Sequence, residues 1–500
     1  MKTMRKEAFV QAALLSGIII MLALVSQRIY VRLDTTQAQT YSLSSYTKAL
    51  LDNLDSTVTI TWCRSYAVDS YVPSLQYMAD MLAEYAAYAP QYCRVIQKES
   101  AEFSDSTLQN LGFITRQIEK KRNQSLVVEN LYSGVLCEYR GKSRVIPFIA
   151  DVYTLEADLA RFLTELEQDA QGRTSERAVY VVMPPGTKDT QYKYVLPWLE
   201  YAGFIPQLLE PPFAVLQPEI PLLVIGSHYF TADMLNAVEV FLKQKGSAAF
   251  FVSANTVAVD THWQAVPKEH DGLGALLARA GFELQANLII DPLNFCLSIP
   301  SADRSRYEKV NYPFWPMVFK QHGTPLPPLV SAEKAVQFFW PSQLVLFDVG
   351  HTQLYPLLTS SAHAAVQKPP YNTDPYGKQL STLAHQEQAA YTIAGYRLAS
   401  SEAGRMLVVS DEYCISTAIE YTHSDTNMDF MVNAVHWLMQ QDALLQLKTK
   451  QPAVFPFRYI EDEHVFLWWV RFARIVTFAF VPLGFTVCAL FLYRKGRKKI

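Results

Sequence analysis

Short apolar runs recur along the middle of the chain at 178–184 (AVYVVMP), 221–227 (PLLVIGS), 248–254 (AAFFVSA), 287–292 (NLIIDP), 343–348 (QLVLFD) and 406–411 (MLVVSD). Their length and β-branched content predict parallel strands buried on both faces. Segments with a helical period stand between several of them: 231–245, opening on Thr231 as N-cap and closing at Gly246 as C′ residue, then 271–281 and 427–440. The alternation predicts a doubly wound, Rossmann-like α/β domain over 175–450. Upstream, TVTITWC (57–63), CRVIQ, SLVVE, GVLCEY and SRVIPFI flank an amphipathic helix at 73–88. They predict a smaller α/β domain over 55–150, joined to the larger one by a helical connection at 151–174 that begins on Asp151. In the stretch 32–54, Ser44 or Ser45 can cap a helix carrying Ala49, Leu50 and Leu54. Residues 296–342, rich in proline and aromatics, read as an insertion or lid, and 365–390 as a polar loop.

The ends follow a different pattern. Residues 8–26 and 475–493 contain no charged residue, and at 1.5 Å per residue each comes close to crossing a hydrocarbon core of about 30 Å. Trp468, Trp469 and Tyr493 stand where interfacial aromatics are expected. Lys2, Arg5 and Lys6 precede the first span, and a basic tail (494–500) follows the second, which is assigned to 471–493 after a linker at 451–470. By the positive-inside rule both termini are cytoplasmic and the body is extracytoplasmic, in the cytoplasmic (inner) membrane of a bacterium. Small residues Gly17 and Gly484 suit close helix approach there.

The overall net charge is −3 although both ends are basic, so the body is acidic, which argues against nucleic-acid binding. Six cysteines without a C-x-x-C pattern argue against a thiolate zinc site and read as isolated thiols. The chain has no P-loop, no G-x-G-x-x-G after a strand and no G-x-S-x-G elbow. It therefore gives no support for a resident nucleotide, cofactor or metal, and reads as a non-enzyme. His262 and His270, beside Glu269 and Asp271, lack the H-E-x-x-H spacing and read as a solvated loop. Three residues stand at the carboxyl ends of predicted strands, where doubly wound folds bind ligands: His228, Asp291 and Asp411. They are the candidate ligand-binding residues, and the aromatic stretch 311–341 is a candidate surface for stacking on carbohydrate. An enzyme built on them would be a membrane-anchored hydrolase or polysaccharide-modifying enzyme.

Several segments resemble one family in order and spacing. RLDTTQAQTYSLSSYT (32–47) is similar to the juxtamembrane motif of GldG-type proteins, and PSLQYMADMLAEYAAY to the helix that follows. IPLLVIGSHYFTADMLNAVEVFLKQKGSAAFFV, LYPLLTSS and the closing unit RMLVVSDEYCIS with NMDFMVNAVHWLMQQDALLQLKTKQ resemble its later elements. One departure follows Gly246, where the family often has a second Gly and an Asp-Pro; here the chain reads GSAAFFVSAN. The resemblance implies a membrane-anchored auxiliary component of an ABC transport system, with ATPase and permease on separate chains. It also implies a large domain similar in fold to class I glutamine amidotransferases but without their cysteine, and leaves a solute or polysaccharide open as ligand. Asn427 and Asp429 read as caps of the helix carrying Asn433 and Trp437, hence as architectural.

Overall fold

The computed structural model describes residues 41–448, apart from 67, 69–74, 123–124, 150–151, 211–212, 214, 259–262, 269–271, 301–305, 320–328, 331–333, 351, 376–386 and 423. The apolar segments 8–26 and 475–493, their basic flanks, the linker 451–470 and the His262/His270 cluster lie outside the described residues. Among the described residues no helix is long and apolar enough to cross a membrane.

The first layer system begins at α1 (Ser45–Asp52), whose N-cap is Ser44: its Oγ accepts the Thr47 N–H at 3.0 Å. Strand β1 (Val58–Arg64) pairs in parallel with β2 (Cys93–Glu99) and antiparallel with β3 (Ser133–Tyr139), which continues to β4 (Lys142–Ile146). Val58, Ile60 and Trp62 alternate into the core, as a half-buried strand requires. Helix α2 (Leu75–Tyr88) meets them with Leu75, Met78, Met81, Leu82 and Tyr85, one apolar stripe at helical spacing.

Helix α3 (Leu155–Ala170) packs on two sides. Leu155, Leu159, Phe162, Leu163 and Leu166 face the small sheet, where burying each contributes roughly 1.5–3 kcal/mol. On its other side, Ala157 and Ala160 meet Tyr46 and Leu50 of α1 and Leu444 and Leu447 of α8 (Asp442–Lys448). Alanine there lets both neighbours approach closely. The segment expected as a connection is thus a packed layer of the small domain.

The large sheet runs β6–β5–β7–β8–β11–β10–β9. Its parallel strands are β5 (Ala178–Val182), β6 (Ile205–Leu208), β7 (Leu222–Ile225), β8 (Ala248–Phe251) and β11 (Met406–Val409); β10 (Thr392–Arg397) and β9 (Leu354–Thr359) extend it antiparallel. Alternate residues face opposite sides. Val179, Val181, Leu223, Ile225, Phe251 and Val409 pack with α7 (Thr426–Leu438), whereas Val182, Val224, Phe250 and Val408 pack with α5 (Ala232–Lys243) and α6 (Gly272–Arg279). Helices on both faces explain why these strands are apolar throughout. The architecture is mixed α/β.

Four of the six expected strand segments enter this sheet. Leu288–Ile290 and Leu344–Leu346 do not: they pair antiparallel with Ala365–Gln367 and Phe282–Leu284 in two-stranded ribbons. Apolar runs report burial, and here the burial is supplied outside the main sheet. Nor do the described residues of 296–342 form a lid. Asn294–Pro300, Tyr307–Val318 and Val336–Gln337 form an antiparallel sheet, and Tyr312, Phe314, Trp315, Phe339 and Trp340 are buried in the main core. Trp263 stacks on Trp315 at 5.1 Å between centroids, so this aromatic cluster is packing and offers no carbohydrate platform. At the end of α5 the left-handed residue is Lys245 (φ 66°), and Gly246 donates to the Phe241 carbonyl at 3.0 Å. Glycine at 246 answers a steric demand instead, because a Cβ would stand 2.3 Å from the Phe241 ring.

Candidate functional site

The parallel strands follow the order 2-1-3-4-5, so the crevice that usually receives a ligand lies at the carboxyl ends of β5 and β7. In this chain its own side chains fill that place. Gly226 (φ 72°) turns the backbone after β7, and a Cβ there would stand 3.2 Å from Pro184, 3.4 Å from Tyr229 and 3.6 Å from Glu412 Oε2. Glu412 pairs with Lys268 at 2.6 Å, and both side chains are 4% exposed. Glu412 also accepts the Ser253 N–H at 3.3 Å, and its own N–H donates to Ser253 Oγ at 2.9 Å. Burial, reinforced by the Glu412 charge, holds the Tyr192 and Tyr229 hydroxyls well above the usual range, so both stay protonated.

His228 sits at this edge but is exposed, its ring edge-on to Tyr229 at 5.6 Å. Asp411 is fully buried and accepts three backbone N–H groups, from Phe339 (2.6 Å), Tyr413 (2.7 Å) and Cys414 (3.2 Å). Burial raises its carboxyl well above the usual range, against the pull of those donors. Asp291, also fully buried, accepts the N–H groups of Leu293 (2.8 Å) and Ser361 (2.7 Å) and the Ser361 hydroxyl (2.7 Å). The expectation that the two acids share one sheet edge is corrected: Asp291 ends a separate ribbon, and the two share no hydrogen-bond partner. Each carboxylate binds its own chain's backbone. Among the described residues no group of three or more His, Cys, Asp or Glu side chains could hold a metal ion.

A cavity with titratable lining lies elsewhere, at the seam between the two domains, and has a volume of about 380 Å³. Helix α3 supplies Asp158 and Arg161, and α4 (Val195–Tyr201) supplies Trp198 and Tyr201. Asp425, the N-cap of α7, and Asp429, Asn433 and His436 within it are spaced three or four apart, so the helical three share one face, and α8 contributes Lys448. Ile149, Val330 and Phe430 add apolar wall.

The polar groups form a partly satisfied set. Lys448 Nζ donates to Asn433 Oδ1 at 2.8 Å, and Asn433 Nδ2 donates to the Leu329 carbonyl at 2.9 Å. Arg161 donates to Glu165 at 2.7 Å and stands 3.6 Å from Asp158. Burial lowers the Lys448 amine to about 8; the Arg161 charge lowers it further, while Asp158 and Asp429 oppose. Burial raises the Asp429 carboxyl, which accepts a hydrogen bond from Trp198. His436 faces Gln441 Oε1 through Nδ1 at 2.6 Å, and burial, with Lys448 adding, holds its ring well below the usual range, hence neutral. Its Nε2 is buried without a hydrogen-bond partner.

Sequence reading passed over Arg161, His436 and Lys448. The available signal was the polar stripe Asp429, Asn433, His436 on an otherwise apolar helix. Asn427 and Asp429 were read as caps, but the N-cap residue is Asp425 and has no side-chain cap bond. Asn427 is fully buried and braces two other segments: it accepts from Gln337 N–H (2.9 Å) and donates to the Gln337 and Cys414 carbonyls (2.6 Å each).

A family model described as an ABC-type uncharacterized transport system matches residues 163–434. A model for a domain of unknown function matches residues 37–138. An uncharacterized protein of Borreliella burgdorferi is 20% identical over 439 residues, which cover 84% of each chain. A crystal structure of a ThuA-like protein from Bacteroides uniformis overlays with 11% identity and a TM-score of 0.27, covering 53% of this chain and 91% of that one.

Proposed function

Because the chain belongs to the ABC-type uncharacterized transport system family, we propose that it is a non-catalytic auxiliary subunit of the GldG type. It is anchored in the bacterial cytoplasmic membrane by segments 8–26 and 475–493, with its body outside and the ATPase and permease on other chains.

One observation supports this reading above the rest: both ends of the described body converge on α3. Glu156, 2% exposed, accepts the Ser44 N–H at 2.7 Å and the Thr47 hydroxyl at 2.9 Å. From the other end, Leu444 and Leu447 pack on Ala157 and Ala160. Two segments entering a membrane side by side would leave the body from this one place. The same helix is tied to the start of the large domain, since Asp169 and Glu165 bind Arg144 of β4 (2.5 and 2.7 Å) and also pair with Arg177, just before β5.

The test is purification of the tagged full chain from its native membrane in mild detergent, with co-purifying proteins identified by mass spectrometry. Recovery of an ABC ATPase with a multi-span permease, both absent from a control membrane protein, is the expected result. Recovery of the folded chain alone counts against a stable complex.

A further inference from the structure

We propose that the seam cavity binds a small amphiphilic anion, an arylalkyl carboxylate or phosphate monoester, with its head between Lys448 and Arg161 and its apolar body against Trp198 and Phe430. This goes beyond the auxiliary role and does not depend on it.

The arrangement of charge carries the argument. The lining holds three cations and three acids, but they are not equally placed. Asp425 is at the rim, 62% exposed and 3.9 Å from Lys334, whereas the Arg161 side chain is only 12% exposed. Asp429 accepts a hydrogen bond from Trp198, and burial raises its carboxyl, which weakens its hold on the nearby cation. Arg161 and Lys448 reach the cavity from different domains, and the Arg161 charge adds to burial in depressing the Lys448 amine. Arg161 is paired with Glu165 at 2.7 Å, whereas Lys448 is bonded only to the neutral Asn433 amide among the hydrogen bonds of this cavity, so an anion beside Lys448 relieves the less compensated cation. Donor capacity remains for it. Lys448 has three N–H donors with one on Asn433, and Arg161 Nη2 is 3.6 Å from Asp158, beyond hydrogen-bond length. The volume of about 380 Å³ and the walls of Ile149, Trp198, Val330 and Phe430 suit an organic solute better than an inorganic ion.

The groups that face Lys448 are Arg161, Asp158 and Asp429, with neutral His436 beside them. A bound anion favours the protonated amine, so binding near pH 8 takes up protons.

The experiment uses the full chain in phosphatidylcholine nanodiscs, titrated calorimetrically with 4-phenylbutyrate and with 4-phenylbutyl phosphate, and with 4-phenylbutylamine as the cationic control. Expected are saturable binding of an anion at one site per chain, none of the amine, and proton uptake at pH 8 seen as a buffer dependence of the heat. Lys448→Gln should weaken binding at least tenfold and abolish the proton uptake, while Lys448→Arg retains binding. Trp198→Ala should weaken it several-fold. Discs containing phosphatidylglycerol separate two sources of the anion: competition assigns the site to a lipid headgroup, unchanged affinity to a soluble solute. Equal binding of the amine, no saturable binding of either anion, or a Lys448→Gln chain of unchanged melting temperature and unchanged affinity overturns the proposal.

Discussion

At the carboxyl edge of the large sheet, Lys268 and Glu412 lie 2.6 Å apart with both side chains 4% exposed, and Asp411 holds three backbone N–H groups. In the seam, Lys448 has one hydrogen bond to Asn433 and a repelling Arg161, and His436 Nε2 has no partner. Buried charge is complete in the first region and incomplete in the second. Doubly wound folds place ligands at the sheet edge because the strand order opens a crevice there, yet here Pro184, Tyr229 and Glu412 close on Gly226. The lesson is that topology marks where a crevice can form, while the local balance of polar partners decides whether a ligand is wanted there.

The largest expected effect tests how complete the edge is. Asp411→Ala removes the acceptor for three buried N–H groups and should destabilise the chain by roughly 3–6 kcal/mol, read as the denaturation midpoint of the full chain; a loss under 1 kcal/mol breaks the comparison. Next, Lys268→Met leaves Glu412 buried and unpaired, and should cost about 3–5 kcal/mol, whereas adding Glu412→Leu should recover most of it. A double variant no better than the single one means that the edge carries more than structure.

The seam predicts a pH dependence of opposite character. The folded-state amine of Lys448, at about 8, lies below its ordinary value, so between that pH and about 10.4 the unfolded chain binds more protons. Stability should therefore rise with pH across this window, by on the order of 1–2 kcal/mol, and be lowest in this respect below pH 8. The rise should vanish in Lys448→Met; an identical slope in both chains removes Lys448 as its source. Smallest of all, His228→Ala should shift stability by less than about 0.5 kcal/mol, since the ring is exposed. It should also leave anion binding at the seam unchanged in the nanodisc titration, because His228 does not line that cavity.

Much of the scaffold was legible in the chain. Strands β5, β7, β8 and β11 stand where apolar runs predicted them, and Thr231 caps α5 with its side chain accepting the Met234 N–H at 3.4 Å. Ser44 likewise caps α1. These features depend on neighbours within a few residues, which a linear pattern can show. The ribbons of Leu288–Ile290 and Leu344–Leu346 were misplaced because an apolar triplet announces burial without naming its partner strand. Asp291 and Asp411 looked alike in sequence, each closing an apolar run, but they end on different sheets. The seam was the least legible part. Arg161 and Lys448 are far apart in the chain, and only the packing of Ala157 and Ala160 against Leu444 and Leu447 brings their helices together.

By itself the sequence determined the strands β5, β7, β8 and β11 and the helices α1, α2 and α5, since periodicity and caps act over one or two turns. It also determined the absence of nucleotide and elbow motifs, which are local by construction. The tertiary structure alone decided that the sheet-edge crevice is closed and that the seam is left hollow. Both depend on whether side chains from distant segments fill a volume and satisfy each other's hydrogen bonds, and no linear spacing encodes that.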